Sequence, residues 1–393
     1  AGGDWPQHHG DPGHSGVAQD AQEPGRRLAW SYRTPGTFLT GSPVIVDGVV
    51  YAGTRDENGD GTSAVHAVEL ATGRQLWTFP VPSSVHGSLA VADGMVFVPS
   101  VRGTLYAVDA ATGELAWQRD PEEAPEPNNQ RVYGYYSPAV AEGKVFWPYQ
   151  TRFGKASQGL LVALDTRTGA PVWEAPMTGS TMSDGTPAIA DGKVFVGNQT
   201  ADRVIAYDIE TGARAWVSSA VLGGWQDGIP TAADGRVFIG SNNGIVARDA
   251  DTGGDLWTYR SPHPSKVSSG STPSAPAVAG DVVYMGFPSG AVTALDARTG
   301  AVLWDRLLPG DVYTGGIASS PAVAGDTLFV GANNGRFYAL DRHTGQVLWE
   351  HEIGTWVAAG PAVSGNTVVI GAWDGNLYAY TDGGQAAPRW ATL

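Results

Sequence analysis

Apolar and polar positions alternate in short bursts along most of the 393 residues. The clearest stretch is SSPAVAGDTLFVGANNGRFYALDRHTGQVLWE, residues 319–350. Apolar side chains at every second position predict four strands there: SPAV, TLFVGA, RFYALD and QVLWE. The turns AGD, NNG and RHTG separate them, and their glycines supply the positive φ that such turns need. The same pattern recurs around one fixed phrase, in which Thr-Gly is followed by three residues and then Trp. Its copies are TGRQLW (72–77), TGELAW (112–117), TGAPVW (168–173), TGARAW (211–216), TGGDLW (252–257), TGAVLW (299–304) and TGQVLW (344–349).

A four-stranded unit repeating every 40–45 residues or so is the pattern of a propeller blade. First strands begin near Pro43, Leu89, Pro138, Pro187, Pro230, Pro276, Pro321 and Pro361, which makes eight blades. The chain therefore reads as all-β, a single eight-bladed β-propeller over residues 28–393 behind an N-terminal tail, 1–27. The eighth unit, GPAVSGNTVVIGAWDGNLYAY, holds three strands. LAWSYRT (28–34) is expected to supply its fourth, closing the ring with an N-terminal strand; PRWATL (388–393) is the alternative. A Trp stacked on the next blade buries roughly 150–250 Å², worth at most about 4–6 kcal/mol per junction. Asp109, Asp165, Asp208, Asp249, Asp296 and Asp341 precede the Thr-Gly turns, where a carboxylate caps backbone N–H groups.

The repeated AxDxxTGxxxW phrase, running from Leu28 to about Tyr380, resembles the PQQ-like eight-bladed propeller family. That family includes quinoprotein alcohol dehydrogenases and the outer-membrane assembly lipoprotein BamB. The resemblance implies the fold strongly and function weakly, because one fold carries several activities.

Composition narrows the partners. The formal charge of −15 repels phosphate backbones and argues against nucleic acid. No run of 18 apolar residues predicts a transmembrane helix. With no Cys, disulfides and thiolate zinc ligands are excluded. The polar start AGGDWPQHHGDPGHSG reads as a mature N-terminus left by signal removal or as a trimmed chain, so an extracellular or cell-envelope monomer is expected. His8, His9 and His14 in this segment could take a transition metal, but a solvated tail is the expectation.

In a propeller, the loop leading into each inner strand and the loop between strands two and three share one face, the channel mouth. Three positions before the inner-strand starts stand Thr40, His86, Tyr135, Asp184, Asp227, Pro273, Ala318 and Ala358. Blades 2 to 5 thus carry four titratable residues in succession. Nearby lie Arg131, Tyr133 and Tyr136 in blade 3's leading loop, Arg152 between its strands two and three, and Trp225 in GWQDG. Blade 8 adds Trp356 and Trp373. Aromatics beside Arg and Asp suit a polar, ring-shaped ligand, a small molecule or a carbohydrate. Three chemistries fit this mouth. The family resemblance implies quinone-dependent oxidation with PQQ and Ca²⁺, matching Asp227 as base and Asn198 as metal ligand. The family's Glu would fall near Tyr133, its stacking Trp has no counterpart beside Asp184, and its vicinal Cys pair is missing. Asp184 could replace the Glu. Alternatively, His86 and Tyr135 could act as acid and base on a polysaccharide, or Asp184 and Asp227 could hydrolyse one. The third reading is a module that binds a protein partner. Separately, RDENGDGTS (55–63) places Asp56, Asn58 and Asp60 at alternate positions before Gly61, a spacing that could wrap Ca²⁺.

Overall fold

A computed structural model describes residues 4–19, 25–39, 41–56, 59–120, 137–153, 156–177, 186–198, 203–219, 229–263, 274–310, 316–317 and 319–382. Eight four-stranded antiparallel sheets follow one another in chain order, as the alternation predicts. Blade 1 consists of Val44–Val46, Val49–Gly53, Ala64–Glu69 and Gln75–Pro80, and the others repeat it. Blade 8 joins Ala362–Ser364, Thr367–Gly371 and Asn376–Thr381 to the N-terminal strand Arg27–Arg33. Leu28 pairs with Tyr380 and Arg33 with Asn376. The ring is therefore closed by both chain ends, with the N-terminal strand outermost. PRWATL lies outside the described residues.

The Thr-Gly-x-x-x-Trp phrase is a two-part dock. Among the described residues, seven Trp indoles donate their N–H to a carbonyl at the start of the next blade's outer turn: Trp30 to Leu70 at 2.8 Å, Trp77 to Ala110 at 2.9 Å, Trp216 to Ala250 at 3.0 Å. Trp117, Trp173, Trp257 and Trp304 repeat this bond. The indole lies flat on the glycine of that turn. A Cβ on Gly113 would come within 2.7 Å of the Trp77 ring, and φ there is +77°. The phrase thus gives each blade an indole at one edge and, in its Gly, the seat for the preceding blade's indole. The turn carboxylates act as expected. Asp109 Oδ1 accepts from the N–H groups of Ala111 and Thr112, each at 2.9 Å, and these bonds hold its carboxyl below the usual range.

Two further layers surround the axis. One is a ring of hydroxyls just before the inner strands. Gly360 N–H donates to Ser42 Oγ, Ser42 N–H to Ser88 Oγ, Ser88 N–H to Ser137 Oγ and Ser137 N–H to Thr186 Oγ1, at 2.8–3.3 Å. Ala275 N–H donates to Ser320 Oγ likewise. Each bond crosses from one blade to the next.

The second layer is the N-terminal segment, which is not a solvated tail. Residues 5–16 run around the inside of the ring as a strap. The middle residue of each inner strand in blades 1 to 7 donates its backbone N–H to it. Ile45 bonds Trp5 O, Val91 bonds Pro6 O, Ile189 bonds Pro12 O and Ala232 bonds Gly13 O. Val278 bonds Ser15 O and Val323 bonds Gly16 O, all at 2.6–2.8 Å. At blade 3 the Gln7 amide stands in for a peptide group, accepting from Val140 N–H at 2.9 Å and donating to Val140 O at 3.1 Å. Val17–Ala18 then adds a parallel fifth strand to blade 7. Trp5, Gln7, His8, His9 and His14 are all buried. The physical reason is the innermost edge: an inner strand with no further neighbour leaves N–H groups that must find a partner.

Three substitutions test this arrangement by chemical denaturation. Trp216→Ala is expected to lower stability by about 3–5 kcal/mol. Gly113→Ala is expected to cost more than about 1 kcal/mol, because it meets both the indole and an unfavourable φ. Ser88→Ala leaves the buried Ser42 N–H unpaired and is expected to cost about 1–3 kcal/mol.

Candidate functional site

The leading loops and the second-to-third-strand loops do share one face. Val85 N–H donates to Thr54 O, Ile317 N–H to Phe287 O, Val357 N–H to Ala332 O and Phe38 N–H to Ala372 O. In each case the donor leads into one blade and the acceptor follows strand two of the blade before. The four apolar residues are buried over the glycines that end strand two: Val85 over Gly53, Ile317 over Gly286, Val357 over Gly331 and Phe38 over Gly371. Glycine is needed there because a Cβ would strike those side chains at 2.2–2.8 Å. The loops are thereby pinned around one mouth, above the hydroxyl ring, with the strap below.

His86 is buried at this mouth. Burial, and secondarily the Arg55 charge, push its imidazole down to about 3. The ring is thus neutral at ordinary pH and a weak proton acceptor, which suits hydrogen bonding better than proton transfer. Two blades round the ring, in blade 8, Trp356 and Trp373 form an aromatic pair. Their ring centroids are 5.7 Å apart at 53°, and Trp373 N–H donates to Trp356 O at 3.0 Å. Trp356 is 43% exposed, large for an indole, and offers an open face. Asn333, in the adjoining loop of blade 7, donates its backbone N–H to Gly316 O. Its Oδ1 is buried with no hydrogen-bond partner, an acceptor available to a donor above the floor. Ala358 is small and buried, as its ring position in blade 8 suggests.

The other predicted residues are distributed unevenly. Tyr135, Asp184, Asp227, Arg131, Tyr133, Tyr136 and Trp225 lie outside the described residues, as does Asn58. Asn198 and Arg152 are described in their backbone alone. Asn198 ends blade 4's second strand opposite Arg203, and Arg152 pairs with Ser157 in the long hairpin of blade 3. In the 55–63 loop, Asp56 organises its own turn. Its carboxylate accepts from the N–H groups of Asp60 at 3.0 Å, Gly61 at 2.6 Å and Thr62 at 3.2 Å. Asp56 and Asp60 are therefore brought together through backbone bonds. Among the described residues, no three His, Asp or Glu side chains are placed to hold one metal ion.

Two components of the mouth escaped the pattern reading. One is the hydroxyl ring; its trace is the Ser or Thr that precedes the inner-strand start in SP (42–43), SL (88–89), SP (137–138), TP (186–187) and SP (320–321). The other is the strap floor. Its trace is the run of glycines in HHGDPGHSG, where a Cβ on Gly13 would come within 2.5 Å of Ala232 O, and one on Gly16 within 2.3 Å of the His9 ring.

Known proteins carry both the fold and parts of the sequence. The profile of the family described as outer membrane protein assembly factor BamB matches residues 14–183 and 157–386. A 1-butanol dehydrogenase (cytochrome c) of Thauera butanivorans is 36% identical over 139 residues, 30% of this chain and 19% of the relative. The quinohemoprotein alcohol dehydrogenase of Comamonas testosteroni is 30% identical over 163 residues, 37% of this chain and 21% of the relative. The matched stretch thus spans about a fifth of these relatives' length. The crystal structure of the Comamonas enzyme superposes with a TM-score of 0.77, covering 98% of this chain and 81% of that one at 18% identity. BamB from Moraxella catarrhalis gives 0.69, covering 90% and 99% at 19% identity. Among the described residues no helix is long and apolar enough to cross a membrane. With the eight docked blades, the closed ring and a profile match over nearly the whole chain, this protein belongs to the PQQ-like propeller family of BamB and the quinoprotein alcohol dehydrogenases.

Proposed function

We propose that the chain binds a planar, carboxylated quinone of the pyrroloquinoline class, with a divalent cation, at its channel mouth, and oxidises an alcohol there. The observation that supports this is the run of quinohemoprotein and quinone alcohol dehydrogenases among its relatives. The donor set suits such a group. Asp227 and Asn198 offer the hard oxygens that Ca²⁺ takes, and Asp184 offers a third. Arg131 and Arg152 match carboxylates. The Trp356 and Trp373 faces suit a flat ring, and Asn333 Oδ1 is a buried acceptor without a partner. When bound, the quinone supplies a two-electron acceptor. The chain's own part is to orient the alcohol, to take its hydroxyl proton at an Asp227 oxygen, and to keep water from below with the strap floor. The family resemblance would put a Glu near Tyr133, so a cation at this mouth would be held with a different oxygen set, Asp184 beside Asp227 and Asn198.

A second reading is docking of a protein partner at the same mouth. The assembly-factor profile favours it, since that profile covers both halves of the ring.

Reconstitution separates the two. Protein incubated with pyrroloquinoline quinone and Ca²⁺, then passed through gel filtration, is expected to carry the quinone's absorbance and to reduce a redox dye in the presence of a primary alcohol. Asp227→Ala is expected to cut that rate by about 10²–10⁴-fold, the scale of a lost general base. Colourless protein with no alcohol-dependent dye reduction overturns the dehydrogenase reading and leaves partner docking.

A further inference from the structure

The strap carries three imidazoles that no step at the mouth uses. His8, His9 and His14 are 4%, 3% and 0% exposed. Their rings pack together, with centroids 5.9 Å apart for His8 and His9 and 5.3 Å for His8 and His14. Each is tied to a different blade by one nitrogen. His9 Nε2 donates to Pro321 O at 2.5 Å in blade 7, and His14 Nδ1 donates to Pro230 O at 3.0 Å in blade 5. His8 Nδ1 lies 3.0 Å from Ser88 Oγ in the hydroxyl ring of blade 2. The remaining nitrogens, His8 Nε2, His9 Nδ1 and His14 Nε2, are buried with no hydrogen-bond partner.

We propose that this cluster is an acid-operated latch: proton uptake by the three imidazoles releases the strap from the channel at mildly acidic pH while the blades stay folded. A neutral ring tolerates a bare nitrogen in a closed hub. A protonated one places an added N–H and a full charge in a closed, buried hub, where among the described residues only a His14 backbone group offers His9 a further hydrogen bond. The surroundings supply almost no compensation. The eight inner strands, VIV, AVA, AVA, AIA, PTAA, AVA, AVA and AVS, contain no ionisable residue. Within the strap, Asp11 faces His9, but its carboxylate already accepts from the N–H and hydroxyl of Ser15. One engaged carboxylate thus faces three rings that repel one another once charged.

Burial, the largest cause for all three, pushes them below the ordinary 6.5, His14 to about 3. A released strap recovers the ordinary value and binds more protons in the interval. Strap attachment is therefore fully present above about 6.5 and weakens as pH falls below it. At pH 5, His14 alone favours the released strap by about thirty-fold relative to neutral pH. His66 in the third strand of blade 1 and His86 in the loop leading into blade 2 are buried and held down as well, so those two places respond to acid in their own right; the described strands of blades 3 to 8 hold no fully buried His, and there release of the strap is local.

Hydrogen exchange of the full chain, read by mass spectrometry at pH 7.5 and 5.0 and corrected for intrinsic rate, tests the latch. Protection of residues 5–17 is expected to fall by about thirty-fold or more, with that of the strands of blades 3 to 8 unchanged. A triple variant, His8→Asn, His9→Gln and His14→Asn, keeps an amide donor at each engaged ring position and cannot take up a proton. Its strap protection is expected to be the same at both pH values. Equal wild-type protection at both pH values overturns the proposal, as does joint loss across the strap and the strands of blades 3 to 8, or a strap response to pH that survives in the triple variant. If the triple variant does not fold, His14→Asn alone serves, and a pH response unchanged from wild type overturns the latch.

Discussion

Eight sheets set around one axis leave eight innermost edges facing a channel, and the N–H at the middle of each must be satisfied. This constraint shapes the centre of the molecule. A strap of about a dozen residues satisfies it at seven blades in succession, using six main-chain carbonyls and one Gln side chain. Val363, the equivalent residue of blade 8, has no such strap partner among the described residues. Each bond is worth about 1 kcal/mol net, but an unmet buried N–H costs more than its bond returns. The strap thus removes a set of liabilities, and Trp5, buried against the first blade, anchors its beginning.

The strap also decides what the mouth is. A ring of blades alone would leave a passage along its axis. Here the passage is filled at the level of the inner strands, and the hydroxyl ring above the strap ties neighbouring blades together. A ligand at the mouth meets a floor of backbone and imidazole, walled by loops whose apolar residues are seated on glycine. Rigidity of this kind places polar groups without reorganisation, which a binding or catalytic site requires. Meanwhile the outer rim is held by a single device used repeatedly, an indole on the next blade's glycine. Closing blade 8 with Arg27–Arg33 puts the same device, Trp30 on Gly73, at the junction where the chain ends meet.

The blades were legible because their information is local and repeated. Period-two alternation, turn glycines and the fixed Thr-Gly-to-Trp distance state strand, turn and junction within a few residues, and seven copies confirm one another. Trp30, in its usual place before the next Trp, pointed to N-terminal closure for the same reason. The strap was not legible, because it has no period. Its Trp, Gln and His residues are each matched to a different blade, and only their partners across the fold explain their burial. HHGDPGHSG reads as polar and loose when solvent is assumed to be its neighbour. The mouth falls between these cases. Comparing equivalent ring positions singled out His86, which the structure buries beside Arg55, whereas Tyr135, Asp184 and Asp227 lie outside the described residues. The hydroxyl ring left only a trace, the Ser or Thr before the inner strand, because the partner of each hydroxyl lies on the neighbouring blade and not in the sequence around it.

The central claim is that the N-terminal segment is part of the wheel rather than an appendage. The most direct measurement is the melting temperature of a chain that lacks residues 1–18 but keeps the ring-closing strand. The account predicts a folded ring that melts about 5–10 °C lower, with the seven freed N–H groups and the loss of Trp5 offset in part by regained chain entropy. A melting temperature equal to that of the full chain would contradict it.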